Sequence, residues 1–306
     1  MEITAPSSAT LRRGLTMVIP VFNEEEAIQR TLDDVFAALE GSGWEFEVIV
    51  VDDGSTDRTA AIVEKDGRAR LVRHSRNRGV GAARNTGLEL ARFDRVANID
   101  ADGTYPASAL PEMLAVSERA PQVVGARVKR GAAIPLVRRP AKWFIRRLAE
   151  YLAGERIPDL NSGLRIFHTV PARAIRHLLP PTHSWVSTIT LAFLANGLEV
   201  AYVPIDYHPR IGPSTFHPVR DTYNYITLVV RAIVYFNPLK VFLPVAFLMG
   251  LVGSVKLLYD WQAYDDIHDS EVIVLISCVT VAMFGFLADL ISAQNRIGGP
   301  GSPLGR

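Results

Sequence analysis

Asp100-Ala101-Asp102 is the triplet in this chain whose residue types and spacing most directly suggest chemistry. At i and i+2 on extended backbone, both carboxylates project to the same side. Two close carboxylates repel unless a cation lies between or beside them. Mg2+ and Mn2+ are hard ions that take few protein carboxylates and complete their shells with phosphate oxygens. Surface turns use the same triplet, so its position has to decide between the readings. It follows an apolar stretch, residues 95–99, which reads as the fourth strand of an alternating series.

The elements that must position the triplet can be read from apolar spacing. Residues 15–21, 46–51 and 69–74 are short apolar strands, and helical spacing covers 24–39, 56–65 and 79–91. Residues 123–128 resemble one more strand. Strand and helix alternate, which predicts an α/β class with a mostly parallel sheet covered on both faces. In such sheets ligands bind beyond the carboxyl ends of the strands. Residues 20–24, 52–55 and 100–104 all fall at such ends. Asp52-Asp53-Gly54-Ser55 offers a carboxylate to a base or ribose hydroxyl, or else closes a solvated turn. Residues 20–24 bring an aromatic face and an acid to the neighbouring strand end.

Composition narrows the function further. The chain has 306 residues, room for one large α/β domain and an appendage. Hydrophobic residues make up 48% and mean hydropathy is +0.15, which predicts contact with lipid. A net charge of +1 points to no polyanionic partner, and no nucleic acid is expected. The single cysteine, Cys278, excludes an intramolecular disulfide and a cysteine-based zinc site. Residues 1–14 have no apolar segment of the signal-peptide kind, so the first domain is expected to stay cytoplasmic.

Residues 241–259 and 272–291 each supply the roughly 20 apolar residues that an α-helix needs to cross a bilayer. The loop between them is acidic and lacks Lys and Arg, whereas Arg220, Arg231, Lys240 and Arg296 flank the pair. The excess of basic residues on one side places both flanks in the cytoplasm. Two buried helices of a soluble domain are the competing reading. Residues 138–152 form a basic amphipathic helix, facing either solvent or membrane, and 223–236 an interfacial helix leading into the first span. The expected organisation is a flexible 1–14, a catalytic 15–217, a juxtamembrane 218–240, a hairpin over 241–293 and a disordered tail, 294–306.

Seven segments sharpen this outline. "VIPVFNEEEAI", "IVVDDGSTDRT", "NRGVGAARNTGLELA" and "NIDADGTYP" resemble, in order and spacing, the family 2 glycosyltransferases of GT-A fold. "GARVKRG", "DLNSGLRIF" and "VPIDYHPRIGPS" are similar to the dolichyl-phosphate mannose synthase and polyprenyl-phosphate glycosyltransferase branch. The resemblance covers residues 16–214, and the hairpin is similar to that of membrane-anchored members.

The resemblance implies a Rossmann-like GT-A domain with Pro20, Phe22, Glu24, Val51 and Asp53 around the nucleotide base and ribose. Asp100, Ala101 and Asp102 would meet ribose, diphosphate and metal, with Asp100 and Asp102 as ligands of Mg2+ or Mn2+. Arg127 and one of Arg138 or Arg139 would face an acceptor phosphate. Asp159, Asn161, Ser162 and Arg165 would line the donor-sugar and acceptor region, and Asp102, Arg127, Asp159 and Arg165 form the implied catalytic set. Arg210 and Ser214 belong to a loop closing over the donor diphosphate. Thr104 stands where mannose synthases carry a metal-shell Gln. Thr215 and Phe216 follow Ser214 where a lysine is usual, with His217 or Arg220 as substitutes.

The implied function is inverting, metal-dependent transfer of a hexose from GDP-mannose or a UDP-hexose to a polyprenyl or dolichyl monophosphate, at the cytoplasmic face of a membrane. Transfer to diacylglycerol or a polysaccharide, or a non-catalytic membrane scaffold, are the alternatives. The expected partners are donor, lipid acceptor and lipid bilayer, with a homo-oligomer as the form of assembly. The location is the cell membrane, or the endoplasmic reticulum in a eukaryote.

Overall fold

The computed structural model describes residues 12–127, 156–211, 238–264 and 266–294. Arg138, Arg139, Ser214, the helices expected over 138–152 and 223–236, and most of both expected flexible ends lie outside those residues. Residues 12–14 open the first strand instead.

Seven strands form one sheet in the order β3-β2-β1-β4-β6-β5-β7. They are β1 (Arg12–Val21), β2 (Phe46–Asp52), β3 (Arg70–Arg73), β4 (Phe93–Asn98), β5 (Gln122–Ala126), β6 (Arg165–His168) and β7 (Val200–Pro204). β1 pairs in parallel with β2 and β4, and β2 with β3. β6 runs antiparallel to both neighbours, β4 and β5, and β5 pairs in parallel with β7. The helices are α1 (Ile28–Glu40), α2 (Thr59–Asp66), α3 (Val80–Leu90), α4 (Leu110–Ser117), α5 (Thr169–Ala174), α6 (Trp185–Ala195), α7 (Leu239–Tyr264) and α8 (Asp269–Gln294).

Strands buried on both faces read as unbroken apolar runs, and successive side chains feed opposite layers. On β1, Leu15, Met17 and Ile19 meet Leu32, Val35 and Leu39 of α1, while Val18 joins Leu88, Phe167 and Trp185 on the other face. α1 starts four residues after its expected origin. The main chain of Glu24 and Glu25 bends there to donate to Thr59 Oγ1 at 2.9 Å and Asp57 Oδ2 at 3.2 Å.

α7 and α8 pack against each other as an antiparallel hairpin, and both are long and apolar enough to cross a membrane. Their outward faces expose Phe247, Leu251 and Leu258, and Ile273, Phe284 and Leu290. Lys256, half exposed near the end of α7, turns toward the start of α8. It bonds Ser270 Oγ at 2.7 Å, reaches Asp260 at 3.3 Å and pairs with buried Glu271 across the turn.

Candidate active site

Three strand ends meet at one cleft. Beyond β1, Asn23 adopts a left-handed φ of 55°, a conformation asparagine tolerates better than most residues. Its Oδ1 accepts from Thr56 N at 2.8 Å and its N donates to Ser55 Oγ at 3.0 Å, lacing the β1 and β2 loops together. Gly54 closes the β2 loop with φ +79°, and a Cβ there would come within 2.8 Å of the Arg76 main chain. Beyond β4, Thr31 Oγ1 of α1 donates to Ala101 O at 2.9 Å and fixes the Asp100–Asp102 turn from below.

Asp102 and Glu24 face each other across Arg210. Arg210 donates to Glu24 Oε1 at 2.6 Å and lies 3.5 Å from Asp102 Oδ2. Arg210 is carried there by the segment after β7, where Ile211 N bonds Asp102 O at 3.0 Å and His208 N bonds Thr104 O at 2.9 Å. Asp102 Oδ1 is occupied by Thr104, whose hydroxyl donates at 2.6 Å and whose N donates at 3.1 Å. Thr104 therefore orients Asp102. Burial, reinforced by Asp102, Asp100 and Asp57, pushes Glu24 up to about 7 against the opposing charge of Arg210. Glu24 and Asp102, an all-oxygen donor pair that shares one arginine, fit a hard divalent cation that would take the place of Arg210.

The remaining expected residues divide into three groups. Arg127 and Asp159 form a two-pronged pair at 2.7 and 2.9 Å, with Tyr207 beneath the guanidinium at 5.2 Å. Burial raises the Asp159 carboxyl, but the Arg127 hydrogen bonds and charge outweigh it and hold the group below its ordinary range. Asn161 accepts from Ser187 of α6, and Phe22 is 37% exposed at the cleft edge.

A second group is committed to the protein itself. Asp53 is buried, with Oδ1 accepting from Arg78 N at 2.9 Å and pairing with His74 at 2.6 Å, and Oδ2 accepting from Gly79 N at 2.7 Å. It holds the loop entering α3. Pro20 and Ala101 are buried, and Val51 packs in the core.

The third group does not reach the cleft. Arg165 is fully buried on the α6 side of β6, donating to Ser162 O, Val186 O at 2.6 Å and Thr190 Oγ1 at 2.9 Å. Ser162 is buried with it. Arg165 ties the 159–165 loop to α6, while the Ser162 hydroxyl donates to Leu164 O within the loop at 3.5 Å.

Sequence reasoning missed Arg84 and Tyr105. Arg84 donates to Asp100 Oδ1 at 2.5 Å, and Tyr105 Oη accepts from Gly163 N at 2.7 Å. Both lie inside quoted motifs, but their partners are distant in sequence and leave no local spacing to read.

Residues 16–175 match the family described as Glycosyl transferase family 2. The chain belongs to that family. Residues 237–294 match the GtrB C-terminal hairpin, so the glycosyltransferase carries a membrane-associated hairpin. It is 27% identical over 270 residues to the low-salt glycan biosynthesis hexosyltransferase Agl6 of Haloferax volcanii. That alignment covers 86% of this chain and 63% of the relative, so the chain spans less than two thirds of that protein's length. It is 31% identical to the dolichyl-phosphate hexose transferase of the same organism, over 67% of this chain and 87% of that one. A solved structure of glucosyl-3-phosphoglycerate synthase from Mycobacterium tuberculosis, in complex with Mn2+, UDP-glucose and phosphoglyceric acid, has a TM-score of 0.58. It covers 72% of this chain and 80% of that one at 20% identity, a likeness of fold. The fold is a mixed, mostly parallel GT-A domain followed by two paired apolar helices.

Proposed function

We propose that this glycosyltransferase moves a hexose, with inversion, from GDP-mannose or a UDP-hexose to a polyprenyl or dolichyl monophosphate at the cytoplasmic face of a membrane. One observation carries the reading: a single chain joins a carboxylate-lined cleft at the strand ends to an apolar hairpin. The names of the relatives, a hexosyltransferase and a dolichyl-phosphate hexose transferase, support it. Basic residues flank the hairpin and its connecting loop is acidic, which favours a cytoplasmic catalytic domain.

A hydroxyl acceptor needs a general base, whereas a lipid monophosphate, with a second pKa of about 6, is already anionic near neutrality. Asp159, held ionised by Arg127, is thereby free of a base's role. A phosphate oxygen of the lipid attacks the sugar C1 from the face opposite the leaving group. The new C1–O bond forms as the bond from C1 to the β-phosphate oxygen breaks, and that electron pair departs with the nucleoside diphosphate. Arg127, with Arg138 or Arg139, holds the acceptor phosphate through paired hydrogen bonds. Arg210 exchanges Glu24 and Asp102 for oxygens of the donor diphosphate. Phe22 offers its ring to the base. Asp102, with Glu24 close by, would hold Mg2+ or Mn2+, which offsets charge building on the departing diphosphate. The hairpin keeps this cleft in the plane of its lipid acceptor, so encounter is nearly two-dimensional.

Vesicles carrying polyprenyl phosphate, polyprenol or diacylglycerol, each with labelled nucleotide sugar, test the acceptor. Label is expected in the phosphate alone. Labelled diacylglycerol or polyprenol would overturn the assignment.

A further inference from the structure

Arg84 is a buried cation that the scheme above leaves without a task. It sits in the second turn of α3 with its side chain 4% exposed, and its guanidinium lies 5.7 Å from the centroid of the Trp185 ring. Nη2 donates to Asp100 Oδ1 at 2.5 Å, Nε is buried without a hydrogen-bond partner, and Asp100 is its ion-pair partner among the described residues. On the other side, Asp100 Oδ2 lies against the main chain of Gly163, where a Cβ would come within 2.2 Å of it. Tyr105 Oη, accepting from Gly163 N, holds that main chain in place. Asp100 Oδ1 is therefore engaged by Arg84, and Oδ2 is crowded on the Gly163 side. Asp102 differs: Thr104 occupies Oδ1 while Oδ2 turns toward Arg210 and the cleft.

We propose that Arg84 is a positioning residue that claims the Asp100 carboxylate and keeps it from ligating the divalent cation, so that Asp102 is the ligand the triplet provides. The inference rests on the metal-dependent reading above and divides the work of the two carboxylates. An ion that drew Asp100 Oδ1 away would strand Arg84 as an uncompensated buried charge. Removing the Arg84 charge frees Asp100 and deletes a positive charge beside the cation. Metal affinity then rises, an effect that an arginine serving packing alone would not produce.

The full chain in detergent is titrated with Mn2+ alone, without nucleotide, and free ion is read by electron paramagnetic resonance. Arg84→Gln is expected to bind Mn2+ about tenfold more tightly than wild type, and the charge-conserving Arg84→Lys within about twofold of it. Asp102→Asn is expected to lose binding in the same titration. A folded Arg84→Gln protein with equal or weaker affinity overturns the inference and leaves the metal-dependent reading standing. Unchanged binding in Asp102→Asn overturns both. Where Arg84→Gln does not fold, Arg84→Lys decides, since an affinity changed about tenfold either way contradicts a role carried by charge.

Discussion

At the scale of single residues, the Arg127–Asp159 pair makes the sharpest claim about stability. Its side chains are 22% and 12% exposed, and it carries two short charge-assisted hydrogen bonds. Arg127→Met leaves a largely buried carboxylate without its cation, at an expected cost of about 2 kcal/mol near pH 7. Asp159 has a folded pKa held below its ordinary value. Its contribution is therefore present above the unfolded carboxyl pKa near 4 and is lost as pH falls through the lowered folded value. Thermal melts of wild type and Arg127→Met should differ at pH 7 and converge toward pH 3. A gap that persists undiminished at pH 3 would contradict the pairing.

At the scale of elements, the site depends on how closely two loops approach. Gly163 follows the 159–162 loop, and Asp100 follows β4, with no space for a methyl group between them. Gly163→Ala must push the Asp100 carboxylate aside and with it the turn that carries Asp102, and misplacement of about 1 Å costs on the order of a hundredfold in rate. Gly41→Ala is the control, since nothing lies within 4 Å of its Cβ position. Transfer rates and melting temperatures of the two variants separate the effects. Equal activity in both would remove Asp100 from the site.

The same scale explains what could be read in advance. The first four strands and the helices between them announce themselves because each is a local apolar pattern, and so the ends carrying Glu24, Asp53 and Asp100 were legible. β6 was not. It is four residues long, opens with a buried arginine and runs against its neighbours, so neither alternation nor apolar length marks it. Arg165 was expected among the substrate residues through the resemblance of its motif, DLNSGLRIF. Its burial follows from strand register and the carbonyls of α6, which are tertiary facts. Arg84 and Tyr105 escaped notice for the same reason: they act on partners 16 and 58 residues away.

At the scale of the whole molecule, a hairpin with an apolar exterior follows a domain for which we propose a lipid phosphate as acceptor. Leu251 lies mid-helix on the exposed face of α7, 51% exposed. A lysine there costs about 2.5–3.5 kcal/mol at the bilayer centre. Leu251→Lys should therefore release part of the chain from membranes washed in alkaline carbonate, a treatment the wild type is expected to withstand. Extraction of both alike would speak against a spanning hairpin. The central claim, however, is transfer of sugar to a lipid phosphate, and one assay addresses it directly. Purified chain in vesicles with polyprenyl phosphate and Mn2+ is given labelled GDP-mannose, UDP-glucose or UDP-N-acetylglucosamine in turn. The expected result is a mild-acid-labile labelled lipid from one of these donors, formed one for one with nucleoside diphosphate and lost in Asp102→Asn. No labelled lipid from any of the three, with protein that is folded and binds Mn2+, would contradict the account.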